Sequence, residues 1–306
     1  MSSKNWILPL VTAAGFLAVG CVKEPPVAPP APFEATYALL GNDFPLNPPL
    51  SYERGAPDYI QKDNLGGATL DDKIATLGRV LFYDRELSAN KTIACSSCHL
   101  QEFAFSDTAK RSVGLDGGLT HRHAMRLINV RFAVEQRMFW DERASNLLSQ
   151  VTVPIEDHLE MGFSGTQGQP GMDSLLHRLS QLPYYRELFA WAFDGDSTPT
   201  SVRLAHALTQ FVASIESFDS KFDEGYEANN GNVAGPFSNF TPAENQGQQL
   251  FLAPPQLNNQ GVRTGGGAGC AGCHAPPEFD IDPNSRNNGV DATAADPTRL
   301  DASTTR

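Results

Sequence analysis

The sequence predicts a mainly α-helical chain in which one unit, a helix followed by a loop and a short cysteine motif, is used twice, with the second copy stopping short. Three observations carry that reading. Apolar residues recur at helical spacing between residues 70 and 218, with no sustained period-two alternation. The helices ahead of the two cysteine motifs end in the same Gly-x-x-Leu-Phe, at residues 78–82 and 247–251. The 306 residues, 41% hydrophobic and 19% charged, suffice for one large domain or two ordinary ones and exclude a wholly disordered chain. A net charge of −12 excludes a nucleic-acid binder, which needs a basic footprint.

In chain order, Lys4 precedes an apolar stretch over residues 6–19 that ends in Gly20-Cys21. It is too short to span a bilayer and has the layout of a secretory signal, so residues 1–20 are expected to be removed. Leu17-Ala18-Val19-Gly20-Cys21 resembles a bacterial lipoprotein lipobox, which makes Cys21 the expected site of lipidation. An acyl anchor holds a protein to a membrane without spanning it. Val22 after the cysteine implies, by the same resemblance, the outer membrane of the periplasm. Pro and Ala dominate residues 25–32, so residues 21–60 read as a tether and N-terminal extension.

Leu70, Ile74, Leu77 and Leu81 mark the first long helix, with Thr69 as its expected cap. Leu175, Leu176 and Leu179 mark a helix over 172–181 that Pro183 ends, and residues 184–193 read as another. Val202, Ala205, Leu208, Val212 and Ile215 make residues 201–218 amphipathic. Residues 219–240, rich in Asp, Asn, Gly and Phe, read as an interdomain linker. Thr241, Pro242 and Glu244 form a capping box with Pro at the first helical position.

Five cysteines in a chain this long are no disulfide scaffold. Four of them form Cys95-Ser96-Ser97-Cys98-His99 and Cys270-Ala271-Gly272-Cys273-His274. Both read C-x-x-C-H, the attachment pattern of c-type haem. Two thiols one turn apart add to the haem vinyl groups, and the adjacent His reaches the iron. Zinc would require no His after each pair, and a dithiol redox motif would not repeat. Two covalently bound haem c groups are therefore expected, ligated by His99 and His274, in two cytochrome-c-like domains. Residues 61–218 form the first. Residues 219–306 hold the linker and the second.

The blocks 77–84, 87–88, 92–99, 104–107, 139–143, 150, 154–155, 160–162 and 218–223 resemble, in order, the bacterial di-haem cytochrome c peroxidase family, which includes MauG-type enzymes. The resemblance implies reduction of hydrogen peroxide to water with electrons from a small periplasmic donor, a cytochrome c or a cupredoxin. It implies that the first haem meets peroxide and the second passes electrons in. Glu160 matches the family's distal acid, Gln150 a residue that hydrogen-bonds bound peroxide, and Trp140 the indole between the haems. A homodimer is one assembly it implies. A MauG-type oxidase acting on a protein or other substrate, and a non-catalytic di-haem electron carrier, are the rival readings.

Three departures stand out. Leu115 occupies the position of the His that caps the peroxidatic iron at rest in reductively activated relatives. Leucine cannot ligate iron, so the first haem is expected to be open to peroxide; His121, His123 and Met125 lie nearby as alternative ligands, each read first as a local hydrogen-bonding or packing residue. His123 stands where the family has an Asn ligand to an interdomain calcium, and calcium prefers oxygen. Only 32 residues follow His274, where the family continues into the segment that supplies the second haem's distal ligand, so the sequence reads as C-terminally incomplete.

Overall fold

Helix α1 (Glu34–Leu40) begins beside a carboxylate supplied from elsewhere in the chain. Glu187 accepts from the backbone N–H groups of Ala35 and Thr36, at 3.0 and 2.8 Å, and from the Thr36 hydroxyl at 2.7 Å. The computed structural model describes residues 32–133 and 136–281. The leader with Cys21, most of the Pro/Ala tether and the 288–290 segment lie outside the described residues.

The long helix read from Leu70 to Leu81 is α2 (Asp72–Tyr83). Its cap is Asp71, not Thr69: the Asp71 carboxylate accepts from the N–H groups of Lys73 and Ile74 at 2.9 and 3.0 Å. Asp84 ends the helix and takes three donors. Its Oδ1 accepts from Glu86 N–H, and its Oδ2 accepts from the hydroxyls of Tyr184 and Tyr185 at 2.8 and 2.9 Å. Asp84→Ala leaves both phenols without an acceptor, and Tyr185 is fully buried. The expected cost is about 2–4 kcal/mol, read by urea unfolding of the holoprotein.

Two one-turn helices, α3 (Leu147–Gln150) and α4 (Val153–Glu156), precede α5 (Met172–Gln181) and α6 (Pro183–Ala192). Pro183 separates the last two as expected, and it does so by opening α6 at its first position, where no N–H is needed. The amphipathic stretch from Ser201 forms α7 (Ser201–Ala213) and stops five residues before Phe218. Asn129 explains the early end. Its N–H donates to the Ile215 carbonyl at 2.9 Å, and its side chain brackets the Ser217 backbone at 2.8 and 2.9 Å. Those tertiary bonds take the backbone groups that another helical turn would use.

Helices α2 and α7 pack most closely, with α6 against α1, α2 and α5. Their seam holds Leu77, Leu81, Phe82, Leu204, Leu208 and Phe211, and the rings of Phe82 and Phe211 lie 5.2 Å apart. Each such side chain contributes about 1.5–3 kcal/mol by leaving water. The N-terminal extension joins this core through buried Phe33, Leu46 and Tyr52. Buried Arg131 ties it further, pairing with Glu53 and Asp63 at 3.0 and 2.8 Å and with Glu216 at 3.4 Å.

The stretch read as a linker contains α8 (Lys221–Ala228), capped reciprocally by Ser220 and Asp223. Phe222 stacks there on Tyr226 and meets Phe237 and Phe279, so this segment packs on the region of the second motif. Helix α9 (Pro242–Leu252) has the capping box read from Thr241 and Glu244, at 2.6 and 3.2 Å. Two short antiparallel hairpins follow, β1 (Pro255–Leu257) with β2 (Arg263–Gly266) and β3 (His274–Ala275) with β4 (Asp280–Ile281). The described chain is thus mostly helical with little strand. Among the described residues no helix is long and apolar enough to cross a membrane.

Candidate haem-attachment and peroxide site

Both C-x-x-C-H motifs fold as 3₁₀ turns, Cys95–Ser97 and Cys270–Gly272. Each packs against the helix that ends in Gly-x-x-Leu-Phe, the first on α2 and the second on α9. The repeated unit in the sequence is therefore a repeated unit in space. In the first turn Cys98 and His99 both donate backbone N–H groups to the Cys95 carbonyl, at 3.2 and 2.9 Å.

The His99 ring is already aimed. Its Nδ1 lies 2.8 Å from the Phe105 carbonyl, which leaves Nε2 as the ligating nitrogen. That carbonyl is presented by a tight loop in which Ala104 and Phe105 both take left-handed backbone angles, φ 59° and 54°. Leu100 closes the loop by donating to the Ser106 carbonyl at 2.9 Å. Burial pulls the His99 pKa down and favours the neutral imidazole that binds metal. Cys95 and Cys98 carry free thiols, and burial pushes the Cys95 pKa up to about 12. Two thiols one turn apart with the His99 imidazole directly after them are the donor set that c-type haem attachment uses. A cleft of about 680 Å³ opens at this motif, lined by Tyr83, Ser96, His99 and the start of the 100–106 loop.

Glu160 lies close enough to Cys95 and Cys98 for its charge to raise the pKa of both thiols. The acid read from the sequence is thus one of the charges around the first motif. Desolvation and, next, the Asp157 carboxylate push the Glu160 pKa up to about 7, while Arg143 pulls it down. A single turn presents the acid. Asp157 Oδ1 accepts from the N–H groups of Leu159 and Glu160, at 2.8 and 3.1 Å, and the Asp157 carbonyl accepts from Gly162 at 2.8 Å.

Leu115 packs against that turn. Its N–H donates to the carbonyls of Leu159 and Glu160 at 2.8 and 3.1 Å, and the side chain is buried. Gly162 has φ +83°, and a Cβ there would fall 2.4 Å from Leu115 Cδ2. Arg178 braces the turn from behind. Its guanidinium donates to the carbonyls of Glu86, Ser88 and Ala89 at 2.8–3.0 Å and lies over the Phe163 ring. Ala89 N–H in turn donates to the Met161 carbonyl at 2.8 Å.

The other expected site residues are less converged. Trp140 is 43% exposed, and its indole N–H donates to the His123 carbonyl at 2.9 Å. Gln150 is half-buried at the end of α3 and makes no side-chain hydrogen bond among the described residues. His123 spends both ring nitrogens on protein, with Nδ1 at 2.9 Å from the Ala109 carbonyl and Nε2 at 3.1 Å from Ser106 Oγ. Among the described residues no group of three or more His, Cys, Asp and Glu side chains is placed to hold a metal ion. His158 is half-buried with its Nδ1 enclosed and unpartnered. At the second motif, Cys270 is half-buried, and Cys273 and His274 are exposed.

Sequence reasoning missed Asp157 and Arg178. Asp157 three residues before Glu160 is legible as an Asx turn. Nothing in the sequence pairs it with His121, whose Nε2 lies 3.9 Å from Asp157 Oδ2.

A family model described as di-haem cytochrome c peroxidase matches residues 72–231. The methylamine utilization protein MauG of Methylophilus methylotrophus is 28% identical over 248 residues, 81% of this chain and 65% of that protein. The cytochrome c551 peroxidase of Nitrosomonas europaea is 29% identical over 204 residues, 67% of this chain and 52% of that protein. The chain thus spans between half and two-thirds of the length of these relatives. Among solved structures, a MauG-like protein associated with microbial copper homeostasis is similar with a TM-score of 0.58 and 26% identity, covering 76% of this chain and 61% of its own. The matched span of the family model covers more than half of the chain and holds His99 with its aimed ring, the Glu160 turn and the α2–α7 seam, so the chain belongs to the di-haem cytochrome c peroxidase family.

Proposed function

We propose that this chain acts as a periplasmic di-haem peroxidase, reducing hydrogen peroxide to water with electrons from a small donor such as a cytochrome c or a cupredoxin. What supports this reading is the match to the di-haem peroxidase family together with Glu160, a half-buried carboxyl whose pKa desolvation pushes up to about 7 and whose charge is felt at Cys95 and Cys98. Haem, attached at Cys95 and Cys98 with His99 as ligand, supplies the redox-active iron at which the O–O bond is reduced. Glu160 takes the proton from the near oxygen of peroxide and returns it to the far oxygen, a task suited to a group that titrates close to working pH. His99 holds the proximal side through the Phe105 carbonyl. Cys270, Cys273 and His274 hold the second haem, through which the donor's electrons pass. Residues 61–218 form the peroxidatic domain and residues 219–306 the electron-transfer domain. Cys21 anchors the protein by lipid.

Leu115 adds a second element. Its apolar side chain beside the Glu160 turn has no ligating atom, so with haem attached at the first motif Leu115 would supply no ligand to the iron. The oxidised protein, as purified, is then expected to show a high-spin component in its visible spectrum and to react with peroxide without prior reduction. Only six-coordinate low-spin haem in that state would reject this reading. Leu115 also suits a MauG-type oxidase, which shares an open first haem by the resemblance noted above. Steady peroxide consumption coupled to oxidation of a reduced small cytochrome tests the peroxidase reading, and its absence rejects it.

A further inference from the structure

The loop that aims His99 is gripped from outside by His123. Phe105 gives its carbonyl to His99 Nδ1 at 2.8 Å. The next residue, Ser106, reaches across to residues 123 and 124. Its Oγ lies 2.7 Å from the Ala124 carbonyl and 3.1 Å from His123 Nε2. At the other side of the same ring, Nδ1 lies 2.9 Å from the Ala109 carbonyl. The hydrogens available fix the state of the ring. A carbonyl only accepts, so Nδ1 carries a hydrogen for Ala109. The Ser106 hydroxyl has one hydrogen, and the Ala124 carbonyl takes it, so Ser106 Oγ accepts from Nε2. Both nitrogens therefore carry hydrogen, and His123 is an imidazolium in this geometry. Asp107, between the two residues that His123 grips, feels its charge and turns the loop by accepting from the Ala109 N–H at 2.9 Å. The Arg111 guanidinium on the same stretch is spent on the carbonyls of Leu119 and Thr120.

The same residue holds a second loop. Its backbone carbonyl accepts from the Trp140 indole N–H at 2.9 Å. Trp140 sits on the 138–144 loop, which Met138 closes by donating to the Ala144 carbonyl at 2.8 Å. One histidine thus joins the loop behind the first motif to the loop of Trp140. We propose that His123, as a doubly protonated clamp, is a positioning residue for the first haem. It fixes the Phe105 carbonyl that sets the His99 ring, and it fixes Trp140 against that loop. The clamp has this role with haem attached at Cys95 and Cys98, as proposed above. A partner on the far nitrogen of a metal-bound imidazole sets the ring's orientation and raises its basicity. Slackening the 100–109 loop therefore weakens the Phe105 bond and the electron donation from His99, and raises the reduction potential of the first haem.

The test uses the haem-loaded full chain. In its reduced, carbon-monoxide-bound form, which is diamagnetic, ¹⁵N–¹H correlation spectra are expected to show hydrogen on both ring nitrogens of His123, assigned by their loss in His123→Gln. In the reduced form without carbon monoxide, resonance Raman reads the stretch between iron and His99. His123→Gln loses one of the two ring contacts and is expected to shift that stretch downward and the first haem's midpoint potential upward. Ser106→Ala leaves His123 in place, removes its oxygen partner and gives the same two shifts. The double variant moves them no further than the larger single variant, because both substitutions break one chain of contacts. The Trp140 indole N–H, identified by its absence in Trp140→Phe, exchanges with D₂O faster in His123→Gln. Peroxide turnover falls about tenfold in both single variants, the cost of losing such a partner. A His123 ring with one protonated nitrogen overturns the clamp. So do a stretch and a potential that stay put in both variants, shifts that add in the double variant, or an unchanged indole exchange rate. A first motif that carries no haem by mass spectrometry is a different result: it overturns the attachment reading and the clamp together.

Discussion

Glu160→Gln lowers kcat/KM for peroxide by about 10²–10⁴-fold, the range set by losing a positioned general acid–base group. The glutamine keeps the size and a hydrogen-bonding oxygen but cannot take the proton from the near oxygen. On the proposed peroxidase reading, the wild-type rate is expected to rise through a limb near pH 7, because the carboxylate is the form that accepts the first proton and desolvation pushes its pKa up to about 7. The variant loses that limb. Stopped-flow mixing with peroxide across pH 5 to 9 reads both effects, and an unaltered limb in the variant would contradict the assignment.

The same substitution has a stability consequence of the opposite sign. The folded-state pKa of Glu160 is raised above its usual value by desolvation and by Asp157. The folded state therefore binds more protons than the unfolded state between the ordinary carboxylate range and about pH 7. Stability linked to this group is fully present at acid pH and is lost as pH rises through 7. Glu160→Gln removes that loss, so the variant melts at a higher temperature than the wild type at pH 8, while the two converge at pH 4.5.

Gly78→Ala is expected to destabilise the holoprotein by about 3 kcal/mol or more, the upper range for overpacking a core. A Cβ at residue 78 would sit 1.9 Å from the Ala207 carbonyl oxygen and 2.9 Å from Phe211 Cβ. The first of these is backbone of α7 and cannot rotate away. The two helices must separate along the seam of Leu77, Leu81, Phe82, Leu208 and Phe211. Gly247→Ala, at the matching place in α9, is expected to act the other way. Nothing lies within 4 Å of its Cβ position, and no residue of α9 is buried. The better helix former gains up to about 1 kcal/mol there. Thermal melts of the two single variants give the contrast directly, and a neutral Gly78→Ala would show that α2 and α7 do not pack this closely.

That pair of glycines marks the boundary of what the sequence could say. The Gly-x-x-Leu-Phe repeat was legible, and so was its place ahead of each C-x-x-C-H motif. Covalent attachment chemistry demands that spacing within a few residues of chain, which is why Cys95, Cys98, His99, Cys270, Cys273 and His274 could be read without a fold. The helical stretches at α2, α5, α6, α7 and α9 were legible because periodicity and capping are local. Less local features were misread. The cap of α2 moved from Thr69 to Asp71, since competition between adjacent cap residues is decided by where the helix docks. Helix α7 stopped at Ala213 because Asn129, far away in sequence, takes its next backbone groups.

The sequence by itself determined the family and the two C-x-x-C-H motifs, both carried by residue types at short fixed spacing. Tertiary structure alone decided that Leu115 lies on the Glu160 turn, that Asp157 and Arg143 shift the Glu160 pKa, and that His121 comes within 3.9 Å of Asp157. It alone separated Gly78, pressed on a neighbouring helix, from Gly247, pressed on nothing. The physical reason is range. Attachment, capping and periodicity act over a few bonds, whereas a pKa and a steric contact depend on groups that only folding brings within a few ångströms.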